Sequence, residues 1–245
     1  MSYISLSQAF AQWQELAANI PKNDGPMLAE SWNDYTDSLC KDGELCALQY
    51  QYAPAYDDDM PGTGSRWDEL SDDRAHVLDA MGVTLSAVFV PWSQSRNKAE
   101  KDPSLNWRVT LKKGGRDVIE TDYMQGCAHA PAYNDPSVFP GPQRKRDQYT
   151  TAKRIREECE TGRHSTGRRL PLDPPDVVDV LHSLMLDASA LDCRDFADWC
   201  ADFGYSDDSI TARGMYDACI ATATKLRAAF GEKTLRELAE LFEGM

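Results

Sequence analysis

A cysteine and a histidine stand two positions apart in the segment GCAHAPAY, residues 126–133. A thiol and an imidazole can act as a nucleophile and its general base, or as two ligands of a zinc ion. Zinc needs two further ligands, and the other histidines stand outside any metal-binding spacing such as HxxxH or HExxH. We therefore interpret Cys127 and His129 as the end of a hairpin and predict no catalytic residue, metal or cofactor. An enzyme that uses Cys127 and His129 is the weaker alternative.

Three consecutive carboxylates, Asp57, Asp58 and Asp59, lie in a Pro- and Gly-containing segment, residues 53–65, that predicts a loop. The segment lacks the glycine and glutamate spacing of an EF-hand. The three carboxylates are either a solvated loop or an acidic contact surface for a basic partner.

A basic island, residues 143–169, contains nine basic and four acidic residues. Its basic residues are Arg144, Lys145, Arg146, Lys153, Arg154, Arg156, Arg163, Arg168 and Arg169. The island is either a solvated linker helix that pairs with the acidic parts of the chain, or a contact surface for nucleic acid or an acidic partner. We favour the contact surface because the basic residues are so concentrated in an acidic chain.

The charge of the whole chain is strongly negative, with 26 basic and 40 acidic residues and a net charge of −14. The excess is concentrated in residues 1–64, at −8, and residues 170–245, at −9. Proteins that coat nucleic acid carry a basic excess over a whole domain, so binding of free nucleic acid is disfavoured.

The composition is that of a globular protein, with 245 residues, 42% hydrophobic and 27% charged. No apolar run approaches the roughly 18 residues of a membrane span, and the first residues lack the pattern of a signal peptide. The seven cysteines are odd in number and irregular in spacing, which indicates reduced thiols. These features predict a cytoplasmic protein.

Two amphipathic helices are predicted at the start of the chain, each with apolar residues three and four positions apart. Their apolar residues are Leu6, Phe10, Trp13, Ala17 and Ile20 in the first, and Leu28, Trp32, Tyr35 and Leu39 in the second. The alternation in ELCALQYQY, residues 44–52, then favours a strand. A third helix is predicted over residues 67–81.

A small sheet is predicted in the middle of the chain. VTLSAVFV is β-rich, and LNWRVTLKK alternates apolar and polar residues. KKGGR supplies a hairpin turn, from which DVIETDY returns. These segments predict three or four antiparallel strands.

The last part of the chain is predicted to be helical, with Asp173 as the cap of the first helix. One later helix carries Phe196, Trp199, Cys200 and Phe203 on its inward face and ends at Gly204. The fold class is therefore α+β, a small antiparallel sheet packed with helices and followed by a C-terminal helical bundle. We place the division at an α+β domain over residues 1–142, a basic helix or linker over 143–169 and an acidic bundle over 170–245.

Residues 85–231 resemble uncharacterised proteins encoded by bacteriophages and prophages. The resemblance depends on the hairpin that ends in Gly-x-x-His, on PPDVVDVL, and on the stretch Trp-Cys-x-x-Phe-Gly-Tyr. It implies a small acidic accessory protein, similar in kind to anti-CRISPR and other anti-defence proteins, and it transfers no catalytic residue.

The predicted function is that of a non-enzymatic inhibitor that binds a host nucleoprotein defence complex, such as a CRISPR–Cas assembly, through charged surfaces. Its acidic faces would imitate nucleic-acid phosphates or engage basic subunits, and the basic island would contact an acidic or RNA-bearing part. The alternative is a phage DNA-metabolism or regulatory protein that contacts nucleic acid directly.

Overall fold

A computed structural model describes residues 3–56, 73–94, 105–125, 156–162 and 174–244 and confirms the α+β class. Its helices are α1 (Leu6–Leu16), α2 (Gly25–Lys41), α3 (Ala47–Gln51), α4 (Asp73–Ala80), α5 (residues 156–161), α6 (Val177–Ala188), α7 (Phe196–Phe203), α8 (Ile210–Phe230) and α9 (Glu232–Gly244). Its strands are β1 (Val83–Val90), β2 (Leu105–Lys113) and β3 (Arg116–Gln125), which form an antiparallel sheet in the order β1-β2-β3.

The two N-terminal helices form as predicted. The Ser5 hydroxyl caps α1 by accepting the Gln8 N–H at 3.1 Å, and the Gln8 side chain accepts the Ser5 N–H in return. The Asp24 carboxylate caps α2. The apolar faces of both helices share one core, whose buried members are Leu6, Ala9, Phe10, Trp13, Ala17, Leu28, Trp32, Leu39 and Leu45.

The strand predicted over residues 44–52 is wrong, because residues 47–51 form helix α3. Cys46 and Gln49 make a capping box in which the Gln49 N–H donates to the Cys46 sulfur at 3.4 Å and the Cys46 N–H donates to the Gln49 amide oxygen at 2.9 Å. Leu45 and Leu48 are buried three positions apart, which is a helical spacing. Over so short a segment, the alternation of apolar residues does not distinguish a strand from a helix.

A buried carboxylate at the start of α4 connects three helices. One oxygen of Asp73 accepts the Leu6 N–H at the start of α1 and the Gln49 side-chain amide of α3, both at 2.7 Å. The first residues of an α-helix have N–H groups without an intrahelical partner, so Asp73 satisfies one of them from 67 positions away. Of the helix predicted over residues 67–81, the part from Asp73 to Ala80 is confirmed and residues 67–72 lie outside the described residues.

The predicted hairpin is confirmed. Gly114 and Gly115 join β2 to β3 with φ of 55° and 76°, values that favour glycine. Trp107, Val109 and Leu111 are buried on β2 as the alternation predicts, but Asn106 on the polar face is fully buried as well. On β3, the side chain of Asp122 is 2% exposed and pairs with Arg108 at 3.0 Å.

The C-terminal helices form as predicted, with one change at the first of them. The Asp176 carboxylate caps α6 by accepting the Asp179 N–H at 2.8 Å, where Asp173, which lies outside the described residues, was the predicted cap. Ser209 caps α8, and Gly231 ends it with φ of 81°. The buried faces of α8 and α9 carry Ala212, Ala223, Leu226, Phe230, Leu238, Leu241 and Phe242.

The chain divides into two compact units. Unit 1 comprises Met1–Thr84, Lys113–Arg116 and Leu181–Met245, and unit 2 comprises Leu85–Lys112 and Asp117–Val180. Within unit 1, α3 packs against α9. The domain boundaries predicted near residues 142 and 169 lie outside the described residues and stay a prediction. Among the helices that the structure describes, none has the length and apolar character required to cross a bilayer.

Candidate functional site

A cluster of aromatic side chains surrounds Trp199 on α7. The helix begins after Asp195, whose side chain accepts a first-turn N–H at 2.9 Å, and it ends at Gly204 with φ of 73°. The Tyr205 N–H then donates to the Cys200 carbonyl at 2.9 Å, a Schellman-type bond that turns the chain back on the helix. This turn places Tyr205 on the Trp199 ring, with centroids 5.0 Å apart and ring planes within 8°.

The inner side of this cluster is a packed core. Trp199 is 3% exposed, and its ring centroid lies 5.3 Å from that of Phe203, 5.5 Å from Tyr216 and 6.1 Å from Phe196. The guanidinium of Arg213 on α8 lies 3.8 Å above the Phe196 ring. The predicted burial of Trp199 is confirmed.

The outer side of the cluster is exposed to solvent. Phe203 is 51% exposed, Tyr205 is 41% exposed and Ile210 is 90% exposed. The inward position predicted for Phe203 is wrong, because Phe203 is the last residue of α7 and the chain turns away at Gly204 before a further turn can cover it. We call this surface the acidic aromatic patch and define it as Asp202, Phe203, Tyr205, Asp207, Asp208 and Ile210.

The patch lies in an acidic stretch, since residues 192–217 contain seven aspartates and two arginines. One of the arginines, Arg194, is already paired with Asp198 at 2.7 Å, and this hydrogen bond lowers the pKa of Asp198. Within the part of the chain that the structure describes, Asp207 and Asp208 form no ion pair. The patch therefore combines apolar rings with carboxylates that are available to a partner.

Two cysteines lie beside the patch, and their surroundings raise the pKa of both thiols. Burial raises the pKa of Cys193, and the nearby carboxylates of Asp202 and Asp198 raise it further. Burial likewise raises the pKa of Cys200, and Asp207 adds to the effect. A reactive cysteine needs a lowered pKa, so neither thiol has the environment of a nucleophile.

A pocket of about 280 Å³ lies among the C-terminal half of α6, α8 and α9. Met185 and Leu235 contribute apolar surface, while Arg227 pairs with Glu232 at 2.9 Å on the rim. The His182 ring lies 5.4 Å from the Phe242 ring. The lining contains two arginines and three carboxylates, so the pocket favours no single charge class of ligand.

Of the basic residues of the basic island, Arg156 is the one that lies within the described residues. It is exposed in the described part of α5, and its guanidinium lies 5.5 Å from the ring centroid of Trp92. Glu160 on the same helix accepts the Ser93 N–H at 2.9 Å and also the Ser93 hydroxyl, so α5 is fixed against the turn at residues 92–94. Residues 156–162 carry one arginine and three glutamates, so this part of the island is acidic.

The other predicted site residues lie outside the described residues. They are Asp57, Asp58, Asp59, Cys127, His129, Arg144, Lys145, Arg146, Lys153, Arg154, Arg163, Arg168 and Arg169. Where the structure describes the chain, no group of three or more His, Cys, Asp or Glu side chains is placed to hold a metal ion.

Sequence reasoning missed the acidic aromatic patch. The apolar spacing of α7 placed Phe203 in the core. Asp207 and Asp208 precede α8, where the positive end of a helix favours carboxylates without any function. The available signal was Gly204, because a glycine that ends a helix also reverses the chain and changes the direction of the residues on either side of it. Comparison of the chain with known protein families, with curated proteins and with solved structures finds no match.

Proposed function

We propose that this protein is a non-enzymatic inhibitor that docks its acidic aromatic patch on a basic surface of a host nucleoprotein defence complex in the host cytoplasm. The observation that carries the proposal is the exposure of Phe203, Tyr205 and Ile210. Asp207 and Asp208, which lie between them in the sequence, form no ion pair within the described residues. The class of target comes from the resemblance to phage-encoded proteins.

The chemistry of the patch suits a protein partner. Aromatic side chains are enriched at protein interfaces, where a few buried rings supply most of the binding free energy. Subunits that hold nucleic acid carry basic surfaces, which the carboxylates of residues 192–217 attract and orient. The same carboxylates repel phosphates, so a protein surface is favoured over free DNA or RNA.

The proposal is tested by inhibition of the defence complex in reconstituted interference assays. Combined replacement of Phe203, Tyr205 and Ile210 by alanine is expected to weaken binding about 100-fold or more, the range for a lost cluster of interface anchors. The matched control replaces Leu16 and Met27, which are also exposed apolar side chains, by alanine. The control is expected to inhibit like the wild type.

Two outcomes contradict the proposal. If the patch variant folds and inhibits at full strength, the patch is not the docking surface. If the wild type shifts labelled oligonucleotides with a steep dependence on salt, direct nucleic-acid binding is the better description.

The enzyme alternative is tested separately through Cys127 and His129. Cys127→Ser combined with His129→Ala is expected to leave inhibition within a few-fold of the wild type, because the sequence offers these residues no further ligands. Complete loss of inhibition in a folded double variant, or stoichiometric zinc in the purified protein, would favour catalysis or a metal site.

A further inference from the structure

We infer that the acidic aromatic patch recognises arginine, rather than lysine, side chains of its protein partner. The inference rests on the proposed function, because it specifies the chemistry of the partner that the patch binds. Three observations on residues 194–213 carry it. They are an exposed ring face, carboxylates that form no ion pair within the described residues, and two arginines of the chain, of which one lies over a ring and the other pairs with a carboxylate.

The exposed ring is that of Tyr205. One of its faces lies on Trp199, with the ring planes within 8°, and the residue is still 41% exposed. The opposite face is therefore the one available to a ligand, and Trp199 holds the ring in a fixed orientation. A planar guanidinium stacks on such a face, whereas an ammonium group approaches it only as a point charge.

The carboxylates stand on both sides of that ring in the sequence. Asp202 accepts a hydrogen bond from the Cys193 thiol at 3.8 Å, which leaves most of its lone pairs available. Asp207 and Asp208 form no ion pair within the described residues. A guanidinium that stacks on Tyr205 keeps its N–H groups at its edge, where carboxylates can accept two of them at once.

The chain's own arginines show that both contacts fit this region. Arg213 places its guanidinium 3.8 Å above the Phe196 ring. Arg194 donates two side-chain hydrogen bonds to Asp198, from Nη2 to Oδ1 at 2.7 Å and from Nε to Oδ2 at 3.4 Å. Stacking on a ring and bidentate pairing with a carboxylate therefore both occur within residues 194–213, the stretch that contains the patch.

The test uses the full-length protein and two fluorescein-labelled nonapeptides that alternate leucine with either arginine or lysine. Fluorescence anisotropy is expected to give a Kd for the lysine peptide that is about tenfold higher than that for the arginine peptide, since stacking on the ring is lost. Tyr205→Leu keeps apolar volume but removes the ring, and it is expected to remove the preference by weakening only the arginine peptide.

Asp207→Asn combined with Asp208→Asn is expected to weaken both peptides, because it removes charge without removing the ring. Circular dichroism of each variant establishes that it folds. Equal affinity of the wild type for the two peptides, an undetectable affinity for both, or an arginine preference that survives Tyr205→Leu would each overturn the inference. In those cases the proposed function still stands if the triple alanine variant of the patch loses inhibition, and it fails as well if that variant inhibits normally.

Discussion

Replacing Trp199 by alanine is expected to destabilise the protein by about 3–5 kcal/mol, the range for truncation of a buried aromatic residue. Trp199 is 3% exposed and lies at the centre of a ring cluster that holds α7 on α8. Alanine at this position removes the surface on which Tyr205 stacks and leaves a cavity among the remaining rings.

The magnitude follows from the buried area. A buried aromatic side chain removes about 150–250 Å² from water, which at about 25 cal/mol per Å² is worth about 4–6 kcal/mol. Alanine retains the Cβ part of this burial, so the expected loss is about 3–5 kcal/mol, the range found for truncation of buried aromatic residues.

Urea unfolding followed by far-UV circular dichroism measures the effect without using the mutated tryptophan as the probe. With a slope of about 3 kcal/mol per molar urea, the midpoint is expected to fall by about 1–1.7 M. Phe203→Ala is the matched control, because this half-exposed ring belongs to the same helix and is expected to cost only about 1 kcal/mol or less. A Trp199→Ala protein that unfolds at the wild-type midpoint but no longer binds its target would show that the ring belongs to an interface rather than to a core.

Three further predictions concern other parts of the chain. Burial, with a smaller effect of the nearby Asp187 carboxylate, raises the pKa of Cys219 to about 11. The stability that the protonated thiol contributes is therefore present below pH 9 and is lost as the pH rises to 11. Over this pH range the free energy of unfolding should fall less in Cys219→Ala than in the wild type. Asp73→Ala leaves buried N–H donors of α1 and α3 without their acceptor and is expected to destabilise by about 2–4 kcal/mol in the same urea assay, whereas an unchanged midpoint would mean that water replaces the carboxylate. If the basic island is a contact surface, reversing the charge of Lys153, Arg154 and Arg156 together is expected to weaken target binding about 100-fold, most strongly at low salt. Full-strength binding by the folded variant would favour the interpretation of the island as a solvated linker.

Local chemistry was enough to predict most of the described elements. The Gly114–Gly115 turn and the apolar spacing of α1 and α2 depend on residues within a few positions of one another. Residues 44–52 failed because their outcome depends on distant groups: the Gln49 amide donates to Asp73 and to the Ile4 carbonyl, 24 and 45 positions away. A short apolar segment forms a helix or a strand according to the distant residues that it contacts, and its own sequence pattern does not identify those residues.

The candidate site was less predictable than the fold. Its buried half follows from helical spacing, which correctly placed Phe196, Trp199 and Cys200 in the core. Its exposed half depends on what covers Phe203 after α7 ends, and periodicity holds no information about the packing beyond a helix terminus. Exposure of an aromatic ring is a property of the tertiary structure, whereas the aspartates around it have an adequate local explanation in the charge preferences of helix ends.

The packing of α3 against α9 has a consequence for the order of events during synthesis. Gln51 and Glu232, where these two helices end and begin, are 181 positions apart in the chain. The ribosome therefore releases α3 long before α9 exists, and the nascent N-terminal helices expose the surface that α9 will cover. Contacts at such separations slow folding, because a long loop must close before they form. Unit 1 is thus expected to reach its native state only after α9 has emerged from the ribosome. Truncations within α9 should yield chains that bind chaperones rather than a shortened folded protein.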